Sequence, residues 1–223
     1  MEILEELFSS GTLVKILRLF LFNEESAYDA DMLADITRSK KSDVNYEMRL
    51  LLKIGFVKKK SFSKEVISKR AGKTRTSKKK TNGWVLNPEF RYVEQLRALL
   101  IKTELISEQK IIQTIKKAGK IKLLLVAGVF LHDLDARVDM LIVAEKVNKR
   151  SLSTAIRDLE AAVGRELSYT LLDPDSYAYR TQVRDKLLRD IFDREYQILV
   201  HNSADISVPV GTLSTTSGVF REL

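Results

Sequence analysis

The 223-residue chain has no cysteine and only two histidines, His132 and His201. The absence of cysteine excludes disulfides, thiolate catalysis and Cys-type zinc sites, and two histidines are too few for a histidine-rich metal centre. The longest strongly apolar run, residues 123–131, is too short to cross a bilayer, since a spanning helix needs about 20 residues. The N-terminal MEILEELF lacks the positive start and apolar core of a secretory signal. We therefore expect a cytoplasmic protein that does not enter a membrane.

Positive charge is abundant in one place. The net charge is +8, and residues 61–80 account for +7 of it, with eight Lys or Arg and one acid, Glu65. The wider run over 58–80 reads KKKSFSKEVISKRAGKTRTSKKK. No amphipathic apolar face accompanies these charges, so the run predicts a polyanionic partner, nucleic acid before a membrane surface. A solvated loop without a partner is the alternative.

Hydrophobic periodicity ahead of the basic run predicts two helices. GTLVKILRLFLF, residues 11–22, places apolar side chains at helical spacing, so one stripe of this helix must face a core. DADMLADI, residues 29–36, predicts a second, short helix with Asp29 as its N-cap. The apolar residues of this second helix, Ile36 included, are expected to point inward.

A third helix and two strands are predicted next. SDVNYEMRLLLKI, residues 42–54, predicts a helix that is capped by Ser42 and ended by Gly55. The pattern becomes extended at FVKKK, and NGWVLN, residues 82–87, predicts a second strand beyond the basic run. We expect residues 61–80 to form a long loop between the strands, mobile when free. Two strands around a basic loop, directly after a helix-turn-helix, form a wing.

This order of elements, with LLLKIGFVKKK where the third helix enters the first strand, resembles the winged helix-turn-helix domains of small prokaryotic transcriptional regulators. The resemblance covers residues 7–87, and the domain is expected to span residues 1–87. It implies a recognition helix over 42–54, whose N-terminal half meets base edges in the major groove, and a basic wing over 58–80 that contacts phosphates. It also implies double-stranded DNA as the partner and a homodimer as the binding species. Some domains of this kind bind RNA or other proteins instead.

The resemblance assigns DNA contacts to particular polar side chains. Arg49 is the best candidate to read a guanine, because a guanidinium can donate to both acceptors of that base. For Tyr46 and Arg49 the alternative is an ordinary solvated helix face. The full set of DNA-binding candidates is Lys40, Lys41, Ser42, Asn45, Tyr46, Arg49, Lys58, Lys59, Lys60, Lys64, Lys69, Arg70, Lys73, Arg75, Lys78, Lys79 and Lys80.

The second half of the chain predicts a mixed helix and strand pattern. Residues 88–120 have a helical pattern and are interpreted as a connector. Two nearly continuous apolar runs, 123–127 and 138–144, predict strands buried on both faces. The remaining elements are a helix over 150–164, a strand over 166–172 and a helical segment over 175–192. Residues 121–202 are therefore predicted to form a small α/β domain.

This small α/β domain resembles the minimal nucleotidyltransferase domain, whose signature is Gly-Ser after the first strand and an Asp-x-Asp pair on the second. In that family the carboxylates hold the Mg²⁺ ions of a nucleoside triphosphate. Here Gly128 matches the glycine, but Val129 stands at the serine position. Arg137 replaces the first acid of the pair, Asp139 keeps the second, and Ser168 stands where the third strand normally supplies an acid.

An arginine in place of a metal ligand would repel Mg²⁺, so the resemblance implies a fold kept without catalytic residues, bound metal or cofactor. A winged helix joined to such a domain resembles a group of prokaryotic regulators described as nucleotidyltransferase-like. There the domain would serve dimerisation or effector sensing. Arg137 is a candidate to contact an anionic or nucleotide effector, and a salt bridge to Asp135 or Asp139 is the alternative. Asp133 and Asp135 are expected to be solvated turn residues rather than cation ligands.

The sequence as a whole predicts a mixed α+β chain: a winged helix-turn-helix domain, a helical connector, a small α/β nucleotidyltransferase-like domain and a tail over 203–223. The tail is rich in Ser and Thr, with one added strand expected at ISVPV, residues 206–210. The expected function is that of a DNA-binding transcriptional regulator that is not an enzyme. Two alternatives stay open: an active nucleotidyltransferase that modifies a protein, tRNA or small molecule, and a module that binds RNA or protein.

Overall fold

The computed structural model describes residues 3–70, 73–202 and 206–208, with the backbone alone at 65–70 and 73–76. It is a mixed α+β structure with two small sheets. In the described ranges, no helix is both long enough and apolar enough to cross a membrane.

The chain divides into two compact units. The first comprises residues 1–103 with 163–165, and the second comprises 104–162 with 166–223. The division after residue 103 falls inside the segment that the sequence analysis treats as a connector.

The first unit combines helices with one long antiparallel hairpin. Its elements are α1 (Ile3–Leu7), α2 (Gly11–Phe22), α3 (Ala30–Ile36), α4 (Lys41–Lys53), β1 (Val57–Arg70), β2 (Lys73–Leu86) and α5 (Val93–Leu100). The register of β1 and β2 runs from Val57 opposite Leu86 to Arg70 opposite Lys73. The prediction of a loop over 61–80 is therefore wrong. Lysine-rich composition hid a run of strand-forming Val, Ile and Thr residues that continues to the hairpin end.

An apolar core joins the helices of the first unit to the base of the hairpin. Its fully shielded side chains include Ile16, Phe20, Leu33, Val44 and Phe56. Asp29 caps α3 as predicted, because its carboxylate accepts the Met32 N–H at 2.9 Å. Ile36 is 37 % exposed, contrary to the prediction. It is the last residue of α3, and the residue of this helix that is buried is Leu33, three positions earlier.

The two ends of α4 differ in how well local sequence predicts them. Gly55 follows the helix with φ of 82°, a conformation that favours glycine, as predicted. The prediction that Ser42 caps the helix is wrong. The helix begins one residue earlier than predicted, Lys40 takes the N-cap position, and the Ser42 hydroxyl donates to the Asp43 carboxylate instead.

The second unit is built around a four-stranded sheet. Its elements are α6 (Glu108–Lys116), β3 (Lys120–Val126), a 3₁₀ turn (Gly128–Leu131), β4 (Met140–Glu145), α7 (Lys149–Val163), β5 (Tyr169–Leu172), α8 (Pro174–Gln182), α9 (Lys186–Phe192) and β6 (Gln197–His201). The strand order is β5-β4-β3-β6. β4 and β5 are parallel and are joined by α7, whereas the other neighbours are antiparallel.

The strands β3 and β4 are buried on both faces, as their continuous apolar runs predict. The helical segment over 175–192 is two helices rather than one, because Asp185 interrupts it and caps α9 by accepting the Leu187 N–H. The strand β6 was not predicted. Its residues are all half-buried, so neither face of the strand is fully buried. The sequence QILVH accordingly lacks the alternation of apolar and polar residues that would predict a strand.

Only residues 206–208 of the tail segment ISVPV are described, and they are not in a strand. Ile206 is buried, and the Tyr177 hydroxyl donates to the Ser207 carbonyl at 3.1 Å. Burial is the main reason that the pKa of Tyr177 rises to about 12. These three residues therefore belong to the second unit. The rest of the predicted tail lies outside the described residues.

Candidate nucleic-acid interface and nucleotidyltransferase-like site

The outward face of α4 carries the polar residues that the sequence analysis selects. Ser42 and Arg49 are exposed, Tyr46 is 67 % exposed, and Asn45 is half-buried. The Arg49 Nε donates to the Asn45 carbonyl at 3.1 Å, so the guanidinium lies along its own helix. Residues three and four apart share one helix face, and α4 thus presents a hydroxyl, a phenol and a guanidinium together.

The inward face of α4 contains a carboxylate that the sequence analysis missed. Glu47 is buried, and its Oε1 accepts the Ser10 hydroxyl at 2.6 Å. Ser10 is also the N-cap of α2, since its Oγ accepts the Leu13 N–H. One serine therefore ties the start of α2 to the middle of α4 and sets the position of the helix that carries Arg49.

Two exposed lysines lie at the start of α4, where Lys40 is the N-cap and Lys41 is the first helical residue. Lys41 forms an ion pair with Asp31 at 2.5 Å, and both side chains are mostly exposed. An exposed pair of this kind contributes little to stability, so it can open to let Lys41 bind another anion.

The hairpin, which we call the basic ribbon (β1 and β2), carries most of the cationic candidates. Its exposed lysines among the described side chains are Lys58, Lys59, Lys60, Lys78, Lys79 and Lys80. The structure describes only the backbone of the other candidates, which are Lys69, Arg70, Lys73 and Arg75. The register places Lys64 directly opposite Lys79. Like charges opposite each other destabilise a hairpin, and here an acid outside the hairpin, Asp29, pairs with Lys64 and offsets the repulsion.

Two of the described ribbon lysines have an internal partner: Lys60 donates to the Glu25 carbonyl at 3.5 Å, and Lys64 pairs with an acid. The Lys64 side chain is 26 % exposed and forms an ion pair with the Asp29 carboxylate. Burial acts to raise the pKa of Asp29, but the hydrogen bonds from Lys64 and from the Met32 N–H outweigh it and hold the pKa below its ordinary value. Asp29 therefore both caps α3 and anchors the ribbon.

Gly83 lies where the ribbon meets the chain that leads into α3. Tyr28 and Trp84 each donate a backbone N–H to the other's carbonyl at 2.9 Å. A Cβ on Gly83 would collide with the Tyr28 carbonyl. The glycine thus allows the base of the ribbon to be fastened by backbone hydrogen bonds.

In the second unit, Asp139 holds backbone groups together. It is 3 % exposed, Oδ1 accepts the Val129 N–H at 2.8 Å, and Oδ2 accepts the Ser168 N–H at 2.9 Å. The backbone of Asp139 also pairs with Ala127 and Ser168. One buried carboxylate therefore joins the turn after β3 to the start of β5.

Gly128 is required by the same arrangement. Its φ is 56°, and a Cβ there would collide with the Asp139 Oδ1. Val129 is buried, whereas Ser168 is exposed and lies just before β5. The positions that the sequence analysis assigns to a degenerate signature thus come together around Asp139, apart from the cation Arg137.

Arg137 has a different partner from the two that the sequence analysis considers. Its guanidinium, 72 % exposed, forms an ion pair with Asp190 of α9 at 3.3 Å rather than with Asp135 or Asp139. Asp133 is not simply solvated either, since it pairs with Arg194 at 2.6 Å. That hydrogen bond is the main reason that the pKa of Asp133 lies below its ordinary value.

These ion pairs border a pocket that the sequence analysis did not identify. Its cationic lining residues are Arg137, Lys186 and Arg194. Lys186, Asp190 and Arg194 recur every fourth residue, and this helical spacing is the signal that could have placed them on one face. Within the described part of the chain, no group of three or more His, Cys, Asp or Glu residues could hold a metal ion.

No family model, curated protein or solved structure matches this chain.

Proposed function

We propose that the first unit is a winged helix-turn-helix domain that binds double-stranded DNA, and that the protein is a transcriptional regulator. The observation that carries the proposal is the basic ribbon, with its six exposed lysines, Lys58, Lys59, Lys60, Lys78, Lys79 and Lys80. Cations that crowd one hairpin repel one another, and they become favourable when a polyanion lies against them.

The ribbon and α4 would contribute differently to binding. Each ribbon strand has 14 residues, which at roughly 3.3 Å per residue spans about 46 Å, more than one turn of duplex. Lysines along such a length supply phosphate contacts, which give affinity without sequence preference. The exposed face of α4 supplies the donors that read base edges, with Arg49 as the residue for a guanine. A homodimer on a two-fold symmetric operator is the expected assembly for a domain of this type.

We further propose that the second unit does not transfer nucleotidyl groups. Asp139 is the one acid of the nucleotidyltransferase signature that this sequence keeps, and both of its oxygens already accept backbone N–H groups. Arg137 stands at the position of the first acid of the pair. Incubation of the full chain with labelled nucleoside triphosphate and Mg²⁺, with protein, tRNA and small-molecule acceptors, tests this. Label transferred to any acceptor would show that the unit is an enzyme.

The salt dependence of duplex binding tests the DNA proposal. The logarithm of the binding constant should fall with the logarithm of salt concentration, with a slope of about −0.9 for each phosphate contact. A Kd that hardly responds to salt would contradict the proposal. Competition with structured RNA in the same assay separates a DNA-binding domain from an RNA-binding one.

A second candidate function, binding of a protein partner, is favoured by one observation. Tyr46, Leu50 and Ile54 are exposed and recur every fourth residue, so they form an apolar stripe at and just beyond α4. If this stripe binds a protein partner, Leu50→Gln should leave duplex affinity nearly unchanged. A loss of duplex affinity similar to that of Arg49→Ala would place Leu50 in the DNA interface.

A further inference from the structure

We propose that the second unit binds a small phosphate-type oxyanion in the pocket between residues 136–138, which precede β4, and α9. Arg137, Lys186 and Arg194 line this pocket, so cationic side chains reach it from two separate segments of the chain. The inference does not depend on DNA binding, because none of these residues belongs to the first unit.

The charges around the pocket are unequal. Three cations line it, against one lining carboxylate, Asp190. A second carboxylate, Asp133, adjoins it through its pair with Arg194. Lys186 has no ion-pair partner among the residues that the structure describes. One positive charge is therefore left over after both internal pairs are counted.

One of the two internal pairs is loose enough to rearrange. The Arg137 to Asp190 distance of 3.3 Å is longer than the 2.7 to 2.9 Å of a strong charge-assisted hydrogen bond, and Arg137 is mostly exposed. An incoming anion can thus take the Arg137 guanidinium without breaking a buried contact.

The remainder of the pocket favours a compact ligand. Its apolar lining consists of Ala127, Ala136, Val138 and Ile191. These apolar walls limit the size of the ligand, and they lower the local dielectric constant, which strengthens the attraction between an anion and the lining cations. A guanidinium and an ammonium in the lining match the tetrahedral oxygens of a phosphoryl group. The phosphoryl group could belong to inorganic phosphate, pyrophosphate or a nucleotide.

Calorimetric titration of the full chain at constant ionic strength tests the inference, with sodium phosphate, pyrophosphate and Mg²⁺-free ATP as separate probes. At least one probe should bind saturably, and the probe that binds most tightly identifies the source of the phosphoryl group. Arg137→Gln and Lys186→Gln should each weaken this binding about tenfold, as expected when one charged hydrogen bond is removed.

Arg189→Gln is the matched control, because Arg189 is exposed on the same helix as Lys186 but does not line the pocket. It removes the same charge and should leave the affinity unchanged. Thermal unfolding without anion checks that all three variants fold. If no probe saturates by about 10 mM, or if Arg189→Gln weakens binding as much as the pocket variants do, the inference is wrong.

Discussion

The two units use their charged side chains in opposite ways. In the basic ribbon of the first unit, six lysines are exposed to solvent. Around Asp139 in the second unit, the buried carboxylate has a backbone donor for each oxygen. A cluster of exposed cations indicates an external partner, whereas a buried charge with a complete set of internal hydrogen bonds indicates a structural role. This contrast supports the proposal that the first unit recognises nucleic acid, and it assigns Asp139 a structural role.

Gly128→Ala should have the largest effect on stability. The φ of 56° disfavours any residue with a Cβ, and that Cβ would collide with the Asp139 carboxylate. We expect a decrease of about 3 kcal/mol in the free energy of unfolding of the second unit. Urea unfolding measures it, with Gly11→Ala as the control because a Cβ there makes only ordinary contacts. Equal stability of the two variants would refute the role assigned to Gly128.

Asp139→Asn should destabilise the second unit by about 2 kcal/mol, because the amide nitrogen that replaces one carboxylate oxygen is a donor and cannot accept a backbone N–H. Asp135→Asn, an exposed acid four residues earlier, is the control and should change little. Urea unfolding monitored in parallel decides the point. If Asp139→Asn is as stable as the control, the carboxylate is not the structural link described above.

Replacement of Lys78, Lys79 and Lys80 by glutamine should weaken duplex binding roughly tenfold or more at moderate salt. It should also make the salt slope less steep by about one for each lysine that binds a phosphate in the wild type. The matched control removes three exposed cations of the second unit, Lys116, Lys117 and Lys149. Fluorescence anisotropy at several salt concentrations compares the two. Equal decreases in affinity for both variants would show that net charge, rather than the ribbon, determines binding.

Asp29→Asn should have the smallest effect, which should depend on pH. The pKa of Asp29 is lowered in the folded state, so its contribution to stability is present above the unfolded-state pKa of about 3.9 and is lost as pH falls through the folded-state value. Wild type should therefore exceed Asp29→Asn in stability at pH 7, and the difference should shrink below about pH 4. Urea unfolding at pH 7 and pH 3 measures this. A difference that is the same at both pH values would contradict the role of the Lys64 ion pair.

Local signals predicted much of the fold, and contacts distant in sequence account for the errors in side-chain partners. Asp29 as a cap, Gly55 as a helix end and α7 after the buried strand β4 each follow from a few adjacent residues. The partner of Arg137 is 53 residues away, and the donors to Asp139 come from two other segments, so no local pattern contains them. The ribbon was missed for a different reason, since lysine composition outweighed strand propensity in the prediction.

The candidate site was predicted in part. The exposed face of α4 follows from helical spacing alone, because Val44, Met48 and Leu51 must face the core and so direct Tyr46 and Arg49 outward. The engagement of Lys64 by Asp29 could not be predicted, since it requires the ribbon to pass beside the start of α3.

One experiment tests the central claim that the ribbon supplies affinity and α4 supplies specificity. A duplex selected from a random pool and a scrambled duplex are titrated with wild type, Arg49→Ala and the ribbon triple variant, with Lys53→Ala as a control one turn along α4. We predict that Arg49→Ala weakens binding of the selected duplex about tenfold and leaves the scrambled duplex unchanged, whereas the ribbon variant weakens both by the same factor. A pool without an enriched sequence, or a scrambled duplex whose Kd does not respond to the ribbon variant, would contradict the claim.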